Sequence, residues 1–461
     1  MIWKRNEDWL RGFPGESAEG SWPEGMSCAS EGSFCSLFPV PCSLFPVPFL
    51  PPYAPCHSAR LVCMMPHGFS QSVEIVTTIF TVAGLGYFVA ALVAARVFVR
   101  LRRAPLAEFA PGVTILKSLK GLDPGMMDAF RSHCRQHYGG EYELLFGVAS
   151  LDDAAVAAVR ELMGEFPDRA IRLLECPERL GTNGKVSTLS QLAGHARYEF
   201  LLVNDSDITV TPLYLERVMR SFAPGQRAGK PEKPVGLVTA LYRGRAHGTL
   251  FSRLEALGIA TDFQAGVLLS RMIEGGLSYG LGSTLAISRE ALNRIGGFLP
   301  MVDHLADDYE LGARVARAGY RVALTEAVVE TSIPAYDWRG FIDHQVRWAR
   351  TVRDASPAGY LGLLFTHGFC WALMNVLASG LSPLSVWLLG MSFFLRLALA
   401  MTVGAEVLHD HQVLPSLWLL PLRDVVGMGV WVAGFAGHLI VWRGERFELK
   451  DGKLCRPSPA N

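Results

Sequence analysis

Long apolar runs and short apolar runs occupy different parts of this chain, and the difference predicts two kinds of structure. The run from Val73 to Val99 is almost wholly apolar, with Glu74 near its start and Arg96 near its end. At about 1.5 Å per residue, a helix of that length crosses a hydrocarbon core of roughly 30 Å. No small-residue cleavage site follows the run, which favours an uncleaved transmembrane anchor over residues 73–101.

Basic residues are concentrated at one end of this predicted helix. Arg96, Arg100, Arg102 and Arg103 crowd its C-terminal end, and the opposite flank has almost no Lys or Arg. The cytoplasmic flanks of membrane helices carry an excess of positive charge. The pattern therefore predicts that everything after Arg103 lies in the cytoplasm.

Short apolar runs, separated by helical patterns, fill residues 110–357. Strands are predicted at 113–117, 144–148, 171–174 and 200–203, and helices at 125–138 and 152–166. This alternation predicts an α/β fold with a mostly parallel sheet and helices on both faces. In such sheets ligands bind at the C-terminal ends of the strands.

Residues 358–443 are again apolar and predict further membrane segments. The apolar runs cover 360–378, 384–403 and 417–442, and two or three of them are expected to span. Arg396 lies inside the second run, and Arg423 and Asp424 lie near the start of the third. Charges at bilayer depth are costly and usually face protein, water or a ligand. An interfacial position is therefore an alternative for the third run, and residues 444–461 form a polar tail.

Residues 1–64 do not have the pattern of a folded domain. The heptapeptide Cys-Ser-Leu-Phe-Pro-Val-Pro occurs twice in tandem, at 35–41 and 42–48, and more prolines follow. Prolines at this density remove backbone donors and fix φ. We interpret the segment as translated upstream sequence, with natural initiation at Met64 or Met65, or alternatively as a disordered tail.

Composition removes several functional classes. The 461 residues carry 43 basic and 43 acidic side chains, so bulk charge gives no reason to expect nucleic acid as a partner. The nine cysteines show no CxxC pair and no Cys/His cluster at ligand spacing, which argues against zinc and disulfide frameworks. A reducing cytosolic setting is the default for the central domain.

An acidic pair follows the predicted strand at 200–203. Asp205 and Asp207 stand at positions i and i+2 directly after buried apolar residues. Mg²⁺ and Mn²⁺ prefer carboxylate oxygens and keep positions open for phosphate oxygens. On its own, Asp-x-Asp is more often a solvated turn.

Three further segments carry candidate chemistry. Asp308 lies in the acidic stretch 306–310, which is either a helix start favoured by the dipole or the source of a general base. Arg347 and Trp348 lie in the stretch 344–350, which is either a membrane-flanking basic helix or a diphosphate and acceptor site. Lys185 lies in the strand-to-helix connection 181–187, which suits a phosphate contact or a plain turn.

The ordered set of these segments is more specific than any one of them. It resembles the inverting glycosyltransferases of families 2 and 21, which include cellulose synthase and carry three aspartates and a (Gln/Arg)-x-x-Arg-Trp sequence. The ceramide glucosyltransferase branch is more similar, since its first aspartate follows Leu-Lys-Gly-x as Asp123 does here. Asp205 and Asp308 resemble the second and third aspartates.

The bacterial hopanoid-biosynthesis glycosyltransferases of that branch are more similar still. Their sequences are similar to this chain at 240–245, 252–254, 296–298 and 344–348. The resemblance runs from about Met65 to the C-terminus. Two departures are visible: His344 stands where the ceramide branch usually has Gln or Arg, and Ser150 stands where the family often has an acid, with Asp152 and Asp153 following.

The resemblance implies a GT-A fold, a UDP-sugar donor, inversion at the anomeric carbon and a polycyclic or sphingoid lipid acceptor. It implies a divalent metal (Mg²⁺ or Mn²⁺) at Asp205 and Asp207, and Asp308 as the catalytic base. Donor binding is assigned to the following residues: Asp123, Lys185, Asp205, His344, Arg347 and Trp348. The bacterial inner membrane, with a cytoplasmic catalytic domain, is the implied location.

The specific expectation is transfer of a sugar, with N-acetylglucosamine preferred, from its UDP donor to a hopanoid hydroxyl. Glucosylation of ceramide is the first alternative. A non-catalytic protein that binds a lipid or nucleotide sugar on the same fold is the second. Chain-building polysaccharide synthesis is disfavoured by the small membrane region. The oligomeric state is left open.

Overall fold

The computed structural model describes residues 67–102, 108–223, 233–442 and 444–456, with side chains from Gln71 onward. The predicted leader at 1–64 and Arg103 lie outside the described residues.

The chain begins with one long helix, α1 (His67–Leu101). Its part Gln71–Leu101 is long and apolar enough to cross a membrane, as the apolar run predicts. The C-terminal half of α1 packs into the main hydrophobic core through Phe88, Ala91, Ala95 and Phe98. The anchor is therefore continuous with the folded domain that follows it.

A seven-stranded sheet forms the centre of that domain. Its strands are β1 (Val113–Ser118), β2 (Tyr142–Val148), β3 (Ile171–Glu175), β4 (Phe200–Val203), β5 (Val235–Ala246), β6 (Leu285–Ser288) and β7 (Arg321–Ile333). Their order is β3-β2-β1-β4-β6-β5-β7, and β6 alone runs against its neighbours. Strands such as β2 are buried at every position, as expected where helices cover both faces of a parallel sheet.

Helices connect the strands and cover the sheet. They are α2 (Met126–Cys134), α3 (Ala155–Glu165), α4 (Gly184–Ala193), α5 (Tyr214–Arg220), α6 (Leu250–Gly258), α7 (Gln264–Glu274), α8 (Arg289–Arg294), α9 (Asp307–Arg317) and α10 (Trp338–Ala355). A π-helical turn, Ile259–Phe263, joins α6 to α7. The predicted α/β class with a mostly parallel sheet is confirmed.

The chain then returns to apolar helices. These are α11 (Pro357–Gly362), α12 (Gly368–Ala378), α13 (Pro383–Ala400) with a π-helical extension Met401–Val407, and α14 (Leu420–Ala433), which a 3₁₀ segment, Leu414–Leu419, precedes. Among the described residues, three helices are long and apolar enough to cross a membrane. There are four if Pro357–Thr366 and Gly368–Ala378, which meet at 56°, count as one broken span. The prediction of one N-terminal and two to three C-terminal membrane segments is confirmed.

Small residues let α1 and α12 approach closely. A Cβ on Gly84 would overlap the backbone of Gly368 on α12. Asn375 Nδ2 donates to Thr78 Oγ1, one polar contact between the same two helices. Close glycine contacts and interhelical hydrogen bonds are typical of helix pairs in membranes.

The charged residues of the C-terminal apolar runs face protein. Arg396 is 3% exposed, and its guanidinium donates to Asp424 at 2.9 Å and to the Thr261 hydroxyl at 3.1 Å. Asp262 accepts a further hydrogen bond from the same guanidinium. The expectation that such charges turn away from lipid holds for Arg396 and Asp424.

The last described residues form a second, three-stranded antiparallel sheet. Its strands are β8 (Leu439–Trp442), β9 (Glu445–Lys450) and β10 (Lys453–Cys455), in the order β10-β9-β8. The apolar pattern predicts a membrane segment up to 442 and a polar tail beyond it. The helix instead ends at Ala433, and in 446–450 the buried Phe447 and Leu449 alternate with more exposed side chains, which is the period of a strand.

Candidate active site

Two loops carrying acidic residues meet because β1 and β4 are neighbours. The two strands pair in parallel, with Leu116 opposite Val203, so the segments that follow them leave the sheet at the same edge. The Ser206 hydroxyl of the second loop donates a hydrogen bond to Asp123 Oδ2 of the first. The structure thus brings Asp123 beside the Asp205–Asp207 loop.

Asp207 is held at the end of β7. Its Oδ2 accepts a hydrogen bond from the Thr331 hydroxyl at 2.5 Å and from the Ser332 N–H at 3.0 Å. Burial and the nearby charge of Asp205 raise the pKa of Asp207, although these hydrogen bonds oppose the change. The two carboxylates therefore repel each other in a partly desolvated setting.

Lys185 bridges two acidic segments. Its Nζ lies 2.8 Å from Asp205 Oδ1 and 3.3 Å from Asp307 Oδ2. Burial alone lowers the pKa of Lys185, but the two carboxylates outweigh it and hold the pKa above its ordinary value. The lysine is therefore a permanent positive charge between the acidic loop after β4 and the start of α9.

The loop before Lys185 is fixed by neighbouring chain segments. Asn183 caps α4 by accepting from the Val186 N–H at 3.2 Å, and its Nδ2 donates to the His304 carbonyl at 2.8 Å. The Thr182 hydroxyl donates to Asp303 at 3.0 Å. These bonds place the N-terminal turn of α4, including Lys185, against the segment that leads into α9.

Asp308 stands in the first turn of α9. Its Oδ1 accepts from the Tyr309 N–H at 2.8 Å. Burial, with the charge of Asp307, raises the pKa of Asp308 to about 6, and Lys185 opposes the change. A Cβ on Gly282 would lie 3.0 Å from Asp308 Oδ2, so glycine is what leaves room for this carboxylate.

His344 and Trp348 share one face of α10, as their spacing of four residues requires. His344 Nδ1 lies 3.1 Å from Glu255 Oε2, and Gln345 Nε2 donates to the same oxygen at 3.3 Å. The ring of Tyr336 stacks on His344 with ring centres 5.4 Å apart, and the ring of Trp348 lies 5.2 Å from that of His344.

Arg347 projects from the same helix near Tyr336 and Glu255. Burial lowers the pKa of Arg347, and the charges of Tyr336 and Glu255 oppose the change. The pKa of Tyr336 is raised by burial and by Glu255, and Asp207 contributes to the same change. Tyr336 therefore lies within electrostatic range of both Arg347 and Asp207.

Lys117 is a site residue that the sequence interpretation missed. It is 1% exposed, and its Nζ donates to the Asp205 carbonyl at 3.0 Å. Burial lowers its pKa to about 7, although the charges of Asp207 and Asp205 oppose this. The available signal was a lysine directly after the apolar residues Ile115 and Leu116 of a predicted strand. No comparable signal marks Glu255, because glutamate is a common residue in helices.

Asp153 supports the loop that carries Asp123. Its Oδ1 accepts from the Gly121 N–H at 2.8 Å and from the Ala155 N–H at 2.9 Å. Gly121 has a φ of +69°, a conformation that glycine adopts without strain. Asp153 therefore ties the loop leading to Asp123 to the first residue of α3.

The acidic loop fits a divalent cation by its chemistry. Asp205 and Asp207 interact as like charges, and a bound cation would relieve that repulsion. Mg²⁺ and Mn²⁺ accept one or two protein carboxylates together with phosphate oxygens and water. Within the described ranges, no group of three or more His, Cys, Asp or Glu side chains is placed to hold a metal ion. A cation here would therefore also need oxygen ligands from a bound nucleotide sugar or from water.

The parallel sheet, the acidic loops at its C-terminal edge and the attached apolar helices define a membrane-bound GT-A glycosyltransferase. The sequence pattern of glycosyl transferase family 21 matches residues 76–455, and the chain belongs to that family. The predicted enzyme class and membrane association are confirmed.

Several characterised proteins are similar. Ceramide glucosyltransferase 3 of Caenorhabditis elegans is 25% identical over 373 residues, which cover 75% of this chain and 74% of the relative. Ceramide glucosyltransferase 1 of the same organism is 23% identical over 360 residues, covering 76% and 74%. Among solved structures, the mannosyltransferase PcManGT from Pyrobaculum calidifontis, in complex with GDP-Man and Mn²⁺, is 21% identical with a TM-score of 0.49 and covers 79% of this chain and 97% of its own.

Proposed function

We propose that the protein transfers a sugar from a UDP-sugar to a hydroxyl group of a membrane lipid, with inversion at the anomeric carbon. The observation that carries the proposal is the convergence of side chains from distant segments. Lys185 contacts both Asp205 and Asp307, Ser206 contacts Asp123, and Asp308 follows directly in the chain. These contacts bring together groups for a nucleotide diphosphate and a candidate base.

The donor diphosphate is assigned to the edge formed by the loops after β1 and β4. Asp205 and Asp207 would hold a divalent metal, which when bound supplies charge neutralisation to the leaving UDP. Lys185 places a fixed positive charge beside the same loop. Arg347 is assigned to the leaving diphosphate, because a guanidinium can bind phosphate oxygens bidentately. Trp348 is assigned to the acceptor channel.

Asp308 is assigned as the base. An attacking hydroxyl must lose its proton, and a carboxylate with a pKa raised to about 6 is still ionised at neutral pH while remaining a better base than a solvated one. The proton of the acceptor hydroxyl goes to Asp308, a bond forms from that oxygen to the anomeric carbon, and the bond from that carbon to UDP breaks. Holding both substrates beside the membrane supplies the orientation.

Two acceptor classes follow from different observations. Similarity to hopanoid-associated glycosyltransferases, including His344 in place of Gln or Arg, favours a hopanoid hydroxyl and N-acetylglucosamine. The relatives named ceramide glucosyltransferases favour ceramide and glucose. We put the hopanoid first because the α10 motif departs from the ceramide pattern at His344.

The test uses the full chain in lipid nanodiscs with Mn²⁺. UDP release is measured with UDP-N-acetylglucosamine or UDP-glucose, each with a hopanoid polyol, with ceramide or with no acceptor, and lipid products are identified by mass spectrometry. The expected result is a β-linked N-acetylglucosaminyl hopanoid. Glucosylceramide as the product would replace the specific assignment by the alternative. If the wild-type protein and Asp308→Asn both bind the UDP-sugar and neither gives a lipid product, the protein is a non-catalytic binding protein.

A further inference from the structure

The apolar segment that contains α14 is held at its start by the catalytic domain. Gln412 Nε2 donates to the Gly244 carbonyl at 3.0 Å, and the Ala246 N–H donates to Gln412 Oε1, also at 3.0 Å. Both partners belong to β5 of the large sheet. Arg243 of the same strand donates to the His409 carbonyl at 2.6 Å. The chain is therefore on the catalytic side of the membrane before the apolar segment begins.

The same segment is held at its end by α10 and its surroundings. Arg353 Nη1 donates to the Gly434 carbonyl at 2.7 Å, and Arg350 Nη1 donates to the Leu439 carbonyl at 2.6 Å. The small sheet β8–β10 follows at once and is itself attached, since the Leu454 N–H donates to the Asp303 carbonyl at 2.7 Å. The chain is again on the catalytic side directly after α14.

A helix fixed to one folded domain at both ends cannot carry the chain across a bilayer. Residues Leu414–Ala433 are long and apolar enough to span. Spanning would move one end through roughly 30 Å of hydrocarbon, away from β5 or from α10. The hydrogen bonds at both ends exclude that arrangement in this fold.

The outward face of the segment is nevertheless apolar along its length. Leu422, Val425 and Val432 are exposed at helical spacing on one stripe of α14, and Trp418 is exposed in the 3₁₀ segment before it. The inward face carries the charges. Asp424 accepts from Arg396 of α13, and Arg423 Nη2 lies 3.5 Å from Asp262 Oδ2. Trp418 is 71% exposed, which is unusual for a tryptophan unless something covers it.

We propose that α14 lies in the plane of the membrane on the catalytic side, with this stripe in the acyl-chain boundary of that leaflet. The occupant of the stripe is lipid, because α14 packs against α12, which belongs to the broken span, and its exposed stripe is apolar. α14 also packs against α6 and α10, which carry Glu255 and His344. The arrangement leaves α1, the α11–α12 pair and α13 to cross. The assignment does not depend on the identity of donor or acceptor.

Sidedness is tested by single cysteines introduced into the full chain in sealed vesicles of both orientations. His411→Cys lies before the segment and Ala436→Cys lies after it. Asp168→Cys marks the side of the catalytic domain, and Gln71→Cys marks the far end of α1. All four positions are exposed. Labelling by a membrane-impermeant maleimide is quantified on the peptide carrying each new cysteine, so the native cysteines do not interfere.

We expect His411→Cys and Ala436→Cys to label with Asp168→Cys in one vesicle orientation, and Gln71→Cys to label in the other. Labelling of His411→Cys and Ala436→Cys from opposite sides would overturn the proposal. UDP release in the same vesicles is an independent readout, so loss of the proposed function and loss of this topology are distinguishable.

Depth and occupant are tested by nitroxide labels at Trp418, Leu422, Val425 and Val432. An in-plane helix gives similar accessibility to oxygen and similar depth at all four positions. A crossing helix would spread them over about 21 Å of depth, at 1.5 Å per residue. Such a spread, or strong spin–spin broadening that indicates a second copy on the stripe, would overturn the proposal.

Discussion

Glu255 Oε2 on α6 lies 3.1 Å from His344 Nδ1 on α10, and this contact joins two helices that are far apart in the sequence. Glu255 is 2% exposed and also accepts from Gln345 Nε2 at 3.3 Å. A buried carboxylate with two donors from adjacent residues fixes the rotation of α10 about its axis. That rotation decides where Arg347 and Trp348 point, because they lie three and four residues beyond His344 on the same face.

We therefore expect Glu255→Gln to lower kcat by about 10- to 100-fold, the loss of one hydrogen bond to a charged group being about 1.5–3 kcal/mol. KM for the UDP-sugar should change less than kcat, because Arg347 is assigned to the leaving diphosphate, whose charge develops in the transition state. A double-mutant cycle with His344→Gln measures the coupling, expected at about 1 kcal/mol or more. Additive effects of the two substitutions would show that the pair does not position α10.

The first four strands of the large sheet could be predicted from the sequence, because apolar periodicity is a local property, whereas β5, β6 and β7 were not predicted. The predicted strand at 200–203 coincides with β4, and the predicted strand at 113–117 differs from β1 by one residue. The rule that parallel strands share one edge then placed Asp205 and Asp207 correctly at the C-terminal end of the sheet.

The partners of those residues could not be predicted in the same way. Lys117 contacts Asp205 across 88 positions, Glu255 contacts His344 across 89, and Thr331 contacts Asp207 across 124. Periodicity indicates which face of an element is buried, but it does not indicate which loop packs on it. The same limit explains β8–β10, whose attachment to Asp303 is a tertiary contact.

Asp308→Asn should abolish transfer and leave UDP-sugar binding largely intact. An amide cannot accept the acceptor proton, and general base catalysis contributes about 10²–10⁴-fold. Binding is followed by calorimetry with Mn²⁺, and transfer is followed by lipid mass spectrometry. Asp307→Asn is the matched control: it removes a carboxylate 3.3 Å from Lys185 and should weaken donor binding more than it lowers kcat. Transfer retained in Asp308→Asn would contradict the base assignment.

The pH dependence follows from the same carboxyl group. Burial and Asp307 raise the pKa of Asp308 to about 6, so the group becomes protonated as the pH falls through that value. A base is active only when ionised, so kcat/KM should be constant near neutral pH and fall about tenfold per unit below pH 6. Donor affinity measured over the same range separates loss of base from loss of metal. A kcat/KM that stays flat to pH 4.5 is incompatible with Asp308 as the base.

Lys117→Met should separate activity from stability. The substitution removes the donor to the Asp205 carbonyl and thereby loosens the loop that carries both proposed metal ligands. It leaves one carbonyl unsatisfied, at about 1–3 kcal/mol, but it also removes a buried ammonium whose desolvation costs several kcal/mol. The melting temperature should therefore stay the same or rise.

The Mn²⁺ concentration that Lys117→Met needs for half-maximal activity should increase about tenfold, measured by UDP release during metal titration. Lys117→Gln, which can still donate to the carbonyl, is the control and should restore part of the metal response. A fall in melting temperature that accounts for the whole loss of activity would assign Lys117 to the core alone.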